Sequence, residues 1–363
     1  RIGNGGDGTL SITNGGLVTN SGGYIADQAG STGVITVDGT DPNGNPSTWS
    51  SSFVRIGRFG NGTLNVTGGG LISSGAAIVG FDPNAGGTVN VGGIDANGNP
   101  SSWNPSSLTI DNTSSVNLTG GGMVSTGLFV INGDDPNSGG TLSVDGTDTN
   151  GNPSTFTQSG MLNIGNGSLS ATTGGVVSIS SSGFIANSAD ETGIVTVDGT
   201  DPNGNASLWS LGGSLAIGSV GNGIVNVSGG GRVSNTSGIL GRDPNSVGTV
   251  TVVGSGSTWS NSAELSVAGS ASSPGGTGTL NIQDSGLVEV GSTFRIWTDG
   301  TVNLSGGTLT LNGPLLDGGG TFNFTSGTMN VNDATQQLIA SSGDIALGGL
   351  ILGPAFVLST GQT

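Results

Sequence analysis

The chain has 363 residues, including 75 glycines, with 32% hydrophobic and 8% charged residues and a formal net charge of −17. Its six basic residues are arginines scattered along the sequence, so the clustered cations that bind a phosphate backbone or an anionic lipid surface are missing, and we expect neither nucleic acid nor an anionic membrane as a partner. The sequence has no run of 18 apolar residues, so we expect no membrane insertion. Without cysteine there is no disulfide framework, and without histidine or lysine the usual catalytic triads lack their base.

A five-residue phrase, glycine–threonine–apolar–polar–apolar, recurs from one end of the chain to the other. It begins as "GTLSI" at Gly8, returns as "GTLNV" at Gly62 and "GTVNV" at Gly87, and is last seen as "GTFNF" at Gly320. With degenerate copies included there are thirteen, at a mean step of about 26 residues. The alternation of apolar with polar residues predicts β-strands with one buried face.

Two shorter apolar pieces follow each phrase, such as "LISS" and "AAIVG" after Gly62. No stretch has the spacing of an amphipathic helix, and the glycine-rich turns are too short to contain one. A step of three short strands is typical of one coil of a parallel β-helix, in which each coil lies on the previous one. The sequence therefore predicts an all-β, single-stranded parallel β-solenoid of about 13 coils, with a narrow hydrophobic core and the form of a rod.

A longer phrase follows every second strand phrase. It reads "VDGTDPNGNPSTW" at Val37–Trp49, "VDGTDTNGNPSTF" at Val144–Phe156 and "VDGTDPNGNASLW" at Val197–Trp209. A shorter "VGSGSTW" ends at Trp259 while the flanking strands persist, so we interpret the phrase as a protruding loop.

An aromatic residue closes each long phrase and begins the next strand. Five such residues recur once per two coils: Trp49, Trp103, Phe156, Trp209 and Trp259. Two interpretations stay open. The rings fill the core, or they form an exposed ladder that stacks the sugar rings of a glycan.

The aspartates of the long loops suit a turn in which the side chain accepts a local backbone hydrogen bond. The alternative is a calcium cofactor held by loop oxygens, with Asp41, Asn43, Asp201 and Asn203 as the candidate ligands. An EF-hand would also require a glycine at the sixth position and a later glutamate, and the loops have neither. Apart from this possibility we expect no cofactor.

The repeat spacing divides the chain into three regions. Residues 1–277 contain two-coil repeats of about 53 residues, and residues 278–333 continue the solenoid with steps of 22 and 20 residues. Residues 334–363 lose the phrase and become more apolar, which predicts a segment that caps or links the end of the solenoid.

Two stretches, residues 60–103 with "GNGTLNVTGGG" and residues 221–259 with "GNGIVNVSGGG", resemble repeats of type V secretion (autotransporter) passengers and PEP-CTERM-associated proteins. The resemblance covers roughly residues 1–300. It implies a right-handed β-solenoid in an extracellular or bacterial cell-surface location, often adhesive or structural, and it carries no catalytic residues over to this chain.

Three functions follow, in order of preference. The first is a structural or adhesive surface or secreted protein, a rigid acidic rod that self-associates end to end or laterally, or contacts a cell-surface partner. The second is an extracellular glycan-binding module that uses the aromatic ladder. The third is a β-helical polysaccharide lyase or hydrolase. It needs carboxylates concentrated in one place, whereas the aspartates recur along the chain, so we expect no enzyme.

Overall fold

A computed structural model describes residues 1–132, 139–332 and 339–340. The described residues form β-strands, turns and bends, and no helix occurs among them. The predicted capping segment, 334–363, lies outside the described residues except for 339–340. The described chain divides into two compact units.

The first unit comprises Arg1–Ser181 and Thr200–Leu208. Its strands are β1 (Asp7–Thr13), β2 (Leu17–Asn20), β3 (Gly23–Ile25), β4 (Thr32–Asp38), β5 (Thr48–Ile56), β6 (Asn61–Thr67), β7 (Leu71–Val79), β8 (Gly87–Gly92), β9 (Ser102–Ile110), β10 (Ser115–Thr119), β11 (Met123–Thr126), β12 (Leu128–Ile131), β13 (Gly140–Asp145), β14 (Thr155–Gln158), β15 (Leu162–Ile164), β16 (Gly167–Thr172) and β17 (Val176–Ile179).

Three columns of parallel strands build this unit. The phrase strands stack as β1–β4–β6–β8–β10–β13–β16, and the second strands as β2–β5–β7–β9–β11–β14–β17. The third strands stack as β3–β5–β7–β9–β12–β15, because β5, β7 and β9 are long enough to serve two columns. Each strand thus pairs with its counterpart in the next coil, which confirms the predicted parallel β-solenoid.

The second unit comprises Ser182–Gly199 and the chain from Trp209 onward. Its strands are β18 (Gly183–Ile185), β19 (Thr192–Asp198), β20 (Leu208–Leu211), β21 (Leu215–Ile217), β22 (Asn222–Ser228), β23 (Arg232–Asn235), β24 (Gly238–Leu240), β25 (Val247–Val253), β26 (Thr258–Asn261), β27 (Leu265–Val267), β28 (Thr277–Gln283), β29 (Leu287–Val290), β30 (Phe294–Trp297), β31 (Gly300–Leu311), β32 (Leu315–Gly318), β33 (Thr321–Val331) and β34 (Ile339–Ala340).

The second unit repeats the three-column plan and then shortens it. Phrase strands stack as β19–β22–β25–β28–β31–β33, and all of these pairs are parallel. β31 pairs first with β28 and then with β29, since one strand of twelve residues replaces two strands and their turn. This merger lies in the shortest step, the 20 residues from Gly300 to Gly320, whereas the 22-residue step from Gly278 keeps three separate strands.

The core follows the alternation read from the sequence. In β6 the side chains of Leu64 and Val66 are fully buried, while Thr63 and Asn65 point outward. Leu64 stacks on Val89 of the next coil through register pairing. Burying each such side chain stabilises the fold by about 1.5–3 kcal/mol, so a thin stack of aliphatic residues suffices for a chain poor in hydrophobic residues.

The glycine that opens each strand phrase has a steric role. A Cβ at Gly87 would lie 2.5 Å from the carbonyl oxygen of Ile56 and 2.6 Å from Cγ1 of Val79. Real Cβ atoms do not approach backbone so closely, so the corner of the coil requires glycine at this position. Close coil packing is thus one reason for the glycine-rich composition.

Candidate binding surfaces

The five marker aromatics lie in the core. The side chains of Trp49, Trp103, Phe156, Trp209 and Trp259 are at most 2% exposed. In the first unit they alternate with aliphatic residues, so that Trp49, Ile72 and Trp103 stack on one another in register. The interpretation as a glycan-stacking ladder is therefore wrong, because a sugar cannot reach a ring that is covered on all sides. The core-filling interpretation is confirmed.

The buried indoles of Trp49 and Trp259 are held by polar partners that sequence reasoning missed, whereas Trp209 Nε1 has no hydrogen-bond partner among the described residues. Trp49 Nε1 donates to Asn20 Oδ1 at 2.8 Å, and Trp259 Nε1 donates to Asn235 Oδ1 at 2.7 Å. Each acceptor lies in the preceding coil, at the end of its second strand. The signal in the sequence is the polar residue that closes "LVTN" and "RVSN". Buried indole N–H groups need such acceptors.

The long phrases form four loops of one geometry, all in the first unit. Each loop is closed by an antiparallel bridge, at Thr40↔Pro46, Ile94↔Pro100, Thr147↔Pro153 and Thr200↔Ala206. Inside the first, Asp41 Oδ1 accepts the backbone N–H groups of Asn43 (2.9 Å) and Asn45 (2.8 Å), and Oδ2 accepts Asn45 Nδ2 (2.8 Å). The predicted aspartate-capped turn is confirmed.

Successive loops lie against each other. A Cβ at Gly44 of the first loop would lie 3.5 Å from Asn97 Nδ2 of the second loop. A Cβ at Gly98 of the second loop would lie 3.5 Å from Asn150 Nδ2 of the third. The first unit thus presents a column of loops with the same polar surface, two coils apart.

Hydrogen bonds hold the loop carboxylates ionised. The side-chain hydrogen bond from Asn45 lowers the pKa of Asp41, and the corresponding bonds from Asn99 and Asn205 lower the pKa of Asp95 and Asp201. Burial raises the pKa of Asp148, but the hydrogen bonds from Asn152 and the loop backbone outweigh it, so that this pKa is also lowered.

The predicted calcium ligands lie in these loops. Asp201 repeats the pattern of Asp41, with Oδ1 accepting from the N–H groups of Asn203 and Asn205. A cation at Asp41 and Asn43, or at Asp201 and Asn203, would have to displace loop hydrogen bonds. In the described part of the chain no three acidic side chains lie close enough to share a metal ion. The calcium site stays a prediction.

The outward face of the phrase strands carries amide ladders. Asn90 Nδ2 donates to Asn65 Oδ1 at 2.9 Å, and Asn117 Nδ2 donates to Asn90 Oδ1 at 3.0 Å. In the second unit Asn303 Nδ2 donates to Asn281 Oδ1 at 2.8 Å. The asparagine side chains of this face are therefore bonded to each other from coil to coil.

Two shallow grooves run across the coils where the second strand ends. The first groove, about 510 Å³, belongs to the first unit and is lined by Pro105, Ser125, Thr126, Gly127, Thr157, Gln158, Ser159, Ser178 and Ser180. The second groove, about 560 Å³, belongs to the second unit and is lined by Leu211, Gly212, Ser234, Asn235, Thr236, Ser260, Asn261, Ser262, Glu289, Gly291 and Asn312. Neither groove is visible from strand patterns alone.

Each groove includes a buried amide two residues after a marker aromatic. Gln158 is 2% exposed, and its Oε1 has no hydrogen-bond partner among the described residues. Asn261 is also 2% exposed; its Oδ1 accepts from Asn235 Nδ2 at 2.8 Å, but no described atom pairs with its Nδ2. Glu289 Oε2 in the second groove accepts from Ser260 Oγ at 2.7 Å.

Arginines that are distant in the sequence converge in the first unit. Arg1 and Arg58 both bond Asp27, at 2.9 and 2.7 Å, and the Arg58 guanidinium lies 4.7 Å from the centre of the Phe59 ring. Arg55 lies 4.6 Å from the centre of the Phe81 ring. The arginines of this unit are thus clustered and in contact with aromatic rings.

Comparisons with known proteins add a distant likeness. Among the described residues no helix has the length and apolarity to cross a membrane. No family model matches the chain, and no curated protein matches it. Among solved structures, the chain is similar to a hyper-glycosylated TibA fragment whose glycosylation was catalysed by TibC, with 17% identity over 91% of this chain and 97% of that one and a TM-score of 0.41. A likeness with that TM-score carries no argument, so the fold is established by the strand pairing alone.

Proposed function

We propose that this chain is a structural and adhesive protein that acts outside the cell, on a bacterial surface or in a secreted matrix. The observation that carries the proposal is the column of four loops with one geometry. Repeated, evenly spaced surface elements suit many weak contacts with a partner, and such contacts multiply through avidity.

The loops are built to hold their shape. Three hydrogen bonds to one carboxylate and a closing bridge fix each loop, so little conformational entropy is lost when a partner binds. The small polar side chains of the loops and the net charge of −17 favour solubility and disfavour nonspecific association.

The location and the mode of assembly are part of the proposal. The repeat phrases resemble those of autotransporter passengers, which supports display at the cell surface or secretion. The assembly that we propose is end-to-end or lateral self-association into fibres, since the parallel pairing of one coil with the next is a contact that a second copy can continue. The carboxylates of the four loops already accept hydrogen bonds, which suits a structural role better than acid–base catalysis.

The test compares beads coated with the wild-type chain and with a variant in which all four long loops are replaced by the short "VGSGS" turn of the second unit. We expect the variant to fold but to lose adhesion to bacterial or host cells and lose bead clustering. Equal adhesion by both proteins would remove the loops from the function.

A further inference from the structure

We propose that the second groove binds a linear, uncharged oligosaccharide that lies across the coils. This proposal assigns a class of ligand to the adhesive function. It rests on that function in one respect, since the glycan would be the target to which the protein adheres. The site differs from the aromatic ladder predicted from the sequence, whose rings are buried.

The groove repeats its polar groups coil by coil. Ser234 pairs in register with Ser260, and Ser260 pairs with Glu289, so these three side chains form one outward column. Adjacent coils place their strands about 4.8 Å apart. A ligand that is itself a repeat of hydroxyl-bearing units, held along this column, meets a new hydrogen-bonding group at each coil.

The lining combines donors and acceptors. Hydroxyl and amide groups, which both donate and accept, make up most of the polar lining, and sugar hydroxyls have the same dual capacity. The Nδ2 of Asn261 is unpaired but shielded from solvent, so the groups that a sugar can reach are the hydroxyls of the exposed Ser234, Thr236 and Ser262 and the half-buried carboxylate of Glu289.

Charge sets the selectivity. Glu289 is the one charged residue in the groove lining, and it repels an anionic saccharide while accepting charge-assisted hydrogen bonds from neutral hydroxyls. The net charge of −17 acts in the same direction. The first groove has Gln158 and hydroxyls but no charged residue in its lining, so it lacks this selection.

The lining contains no aromatic ring on which a sugar could stack. We therefore expect weak binding at a single site, with a Kd on the order of 1 mM, which multivalent display would strengthen.

The experiment uses the full chain and saturation-transfer NMR with three neutral probes, cellohexaose, chitohexaose and maltohexaose, and one anionic probe, hexagalacturonate. Ser260→Phe fills the groove. Ser73→Phe, an outward position of β7 that lines neither groove, is the matched control. We expect at least one neutral probe to bind the wild type and Ser73→Phe alike, and to bind Ser260→Phe at least about tenfold more weakly, since the ring occupies the ligand's space.

Glu289→Gln tests the charge. We expect it to keep the neutral probe within a few-fold and to gain binding of hexagalacturonate. If Ser260→Phe does not fold, Ser262→Trp blocks the groove from an exposed position.

The proposal is overturned if no neutral probe binds the wild type, or if a folded blocked variant binds as well as the wild type. The bead assay keeps the two proposals apart. If bead adhesion depends on the loops while no neutral probe binds, or while the blocked variant binds the probe as well as the wild type, the adhesive function stands and the groove assignment fails.

Discussion

The first unit and the later coils of the second unit make the same strand connection with and without a loop. In the first unit, the chain leaves each second phrase strand through a long aspartate-capped loop, such as Thr40–Pro46. In the second unit, a tight turn at Gly254–Ser257 makes the same connection, with Ser257 N–H bonded to Gly254 O. The next strand nevertheless has a buried tryptophan as its second residue in both, Trp49 and Trp259.

What the two units share is a buried serine at the end of the connection. Ser101 Oγ accepts the N–H of Gly69 at 3.0 Å in the first unit, and Ser257 Oγ accepts the N–H of Gly230 at 3.0 Å in the second. The serine and the aromatic are therefore parts of the coil, whereas the loop is an addition to it. We therefore expect the serine and the aromatic residue to stabilise the fold, and the loop to contact a binding partner.

The largest expected effect is loss of a marker aromatic. Trp103→Ala and Trp259→Ala should each lower the free energy of unfolding by about 3–5 kcal/mol, since each leaves a cavity in the core under the second strands of its own unit. Urea unfolding followed by tryptophan fluorescence measures it. A loss below about 1 kcal/mol in either unit would show that the ring does not fill the core there.

Loss of the buried serine at the end of the connection should have the next largest effect on stability. Ser101→Ala and Ser257→Ala each leave a buried backbone N–H without its acceptor, so we expect a loss of about 1–3 kcal/mol in both units. Ser102→Ala, the outward neighbour, is the control and should stay within about 0.5 kcal/mol of wild type. Equal losses of stability in Ser101→Ala and Ser102→Ala would contradict the role of the Ser101 hydroxyl as acceptor for a buried N–H group.

The amide ladder should contribute less. Asn90→Ala breaks two side-chain bonds on a partly exposed face, and we expect a loss of about 0.5–1.5 kcal/mol. Asn90→Thr should recover part of it through its strand preference. Denaturation midpoints of the two variants check the order, and a more stable Asn90→Ala would show that the ladder is incidental.

The smallest effect on the whole fold belongs to the loop carboxylates, and it depends on pH. The pKa values of Asp41 and Asp201 are lowered in the folded chain, so their contribution is present above the ordinary carboxyl pKa and is lost as pH falls through the lowered values. Hydrogen exchange, corrected for intrinsic rates, should show the Asn45 and Asn205 amides losing protection only at acidic pH.

The second unit supplies the control for that titration. The Gly254–Ser257 turn contains no aspartate, so the exchange protection of its Ser257 amide should not follow carboxyl titration. Asp41→Asn should remove the acid step at Asn45 and leave the step at Asn205. An acid step that persists in Asp41→Asn would assign it to another group.

The sequence predicted the coil because its signals are local and repeated. Alternation in "GTLNV" fixed the buried face at Leu64 and Val66, and the absence of a long loop before Trp259 marked the loop as separable. It left open where the aromatic rings point, since "STWSS" places Trp49 between polar neighbours that suit either face. Register decides that question, and register comes from pairing between coils.

The grooves and the arginine cluster were beyond the sequence for a related reason. Ser234, Ser260 and Glu289 are separated by more than twenty residues and meet only because successive coils align. Arg1 and Arg58 likewise meet at Asp27 across coils. The number of residues in a coil varies along the chain, so the mean repeat length could not predict which residues of neighbouring coils lie side by side.

The central claim, that successive coils pair in parallel register, can be tested by disulfide trapping in this cysteine-free chain. Thr63 pairs with Thr88, and both are outward residues of neighbouring strands, whereas Asn90 is two residues out of register with Thr63. Strand neighbours fall within the Cα separation that a disulfide allows, and a two-residue offset exceeds it. Under oxidation, Thr63→Cys/Thr88→Cys should cross-link nearly completely and Thr63→Cys/Asn90→Cys hardly at all. Equal or reversed yields would contradict the stacked-coil fold.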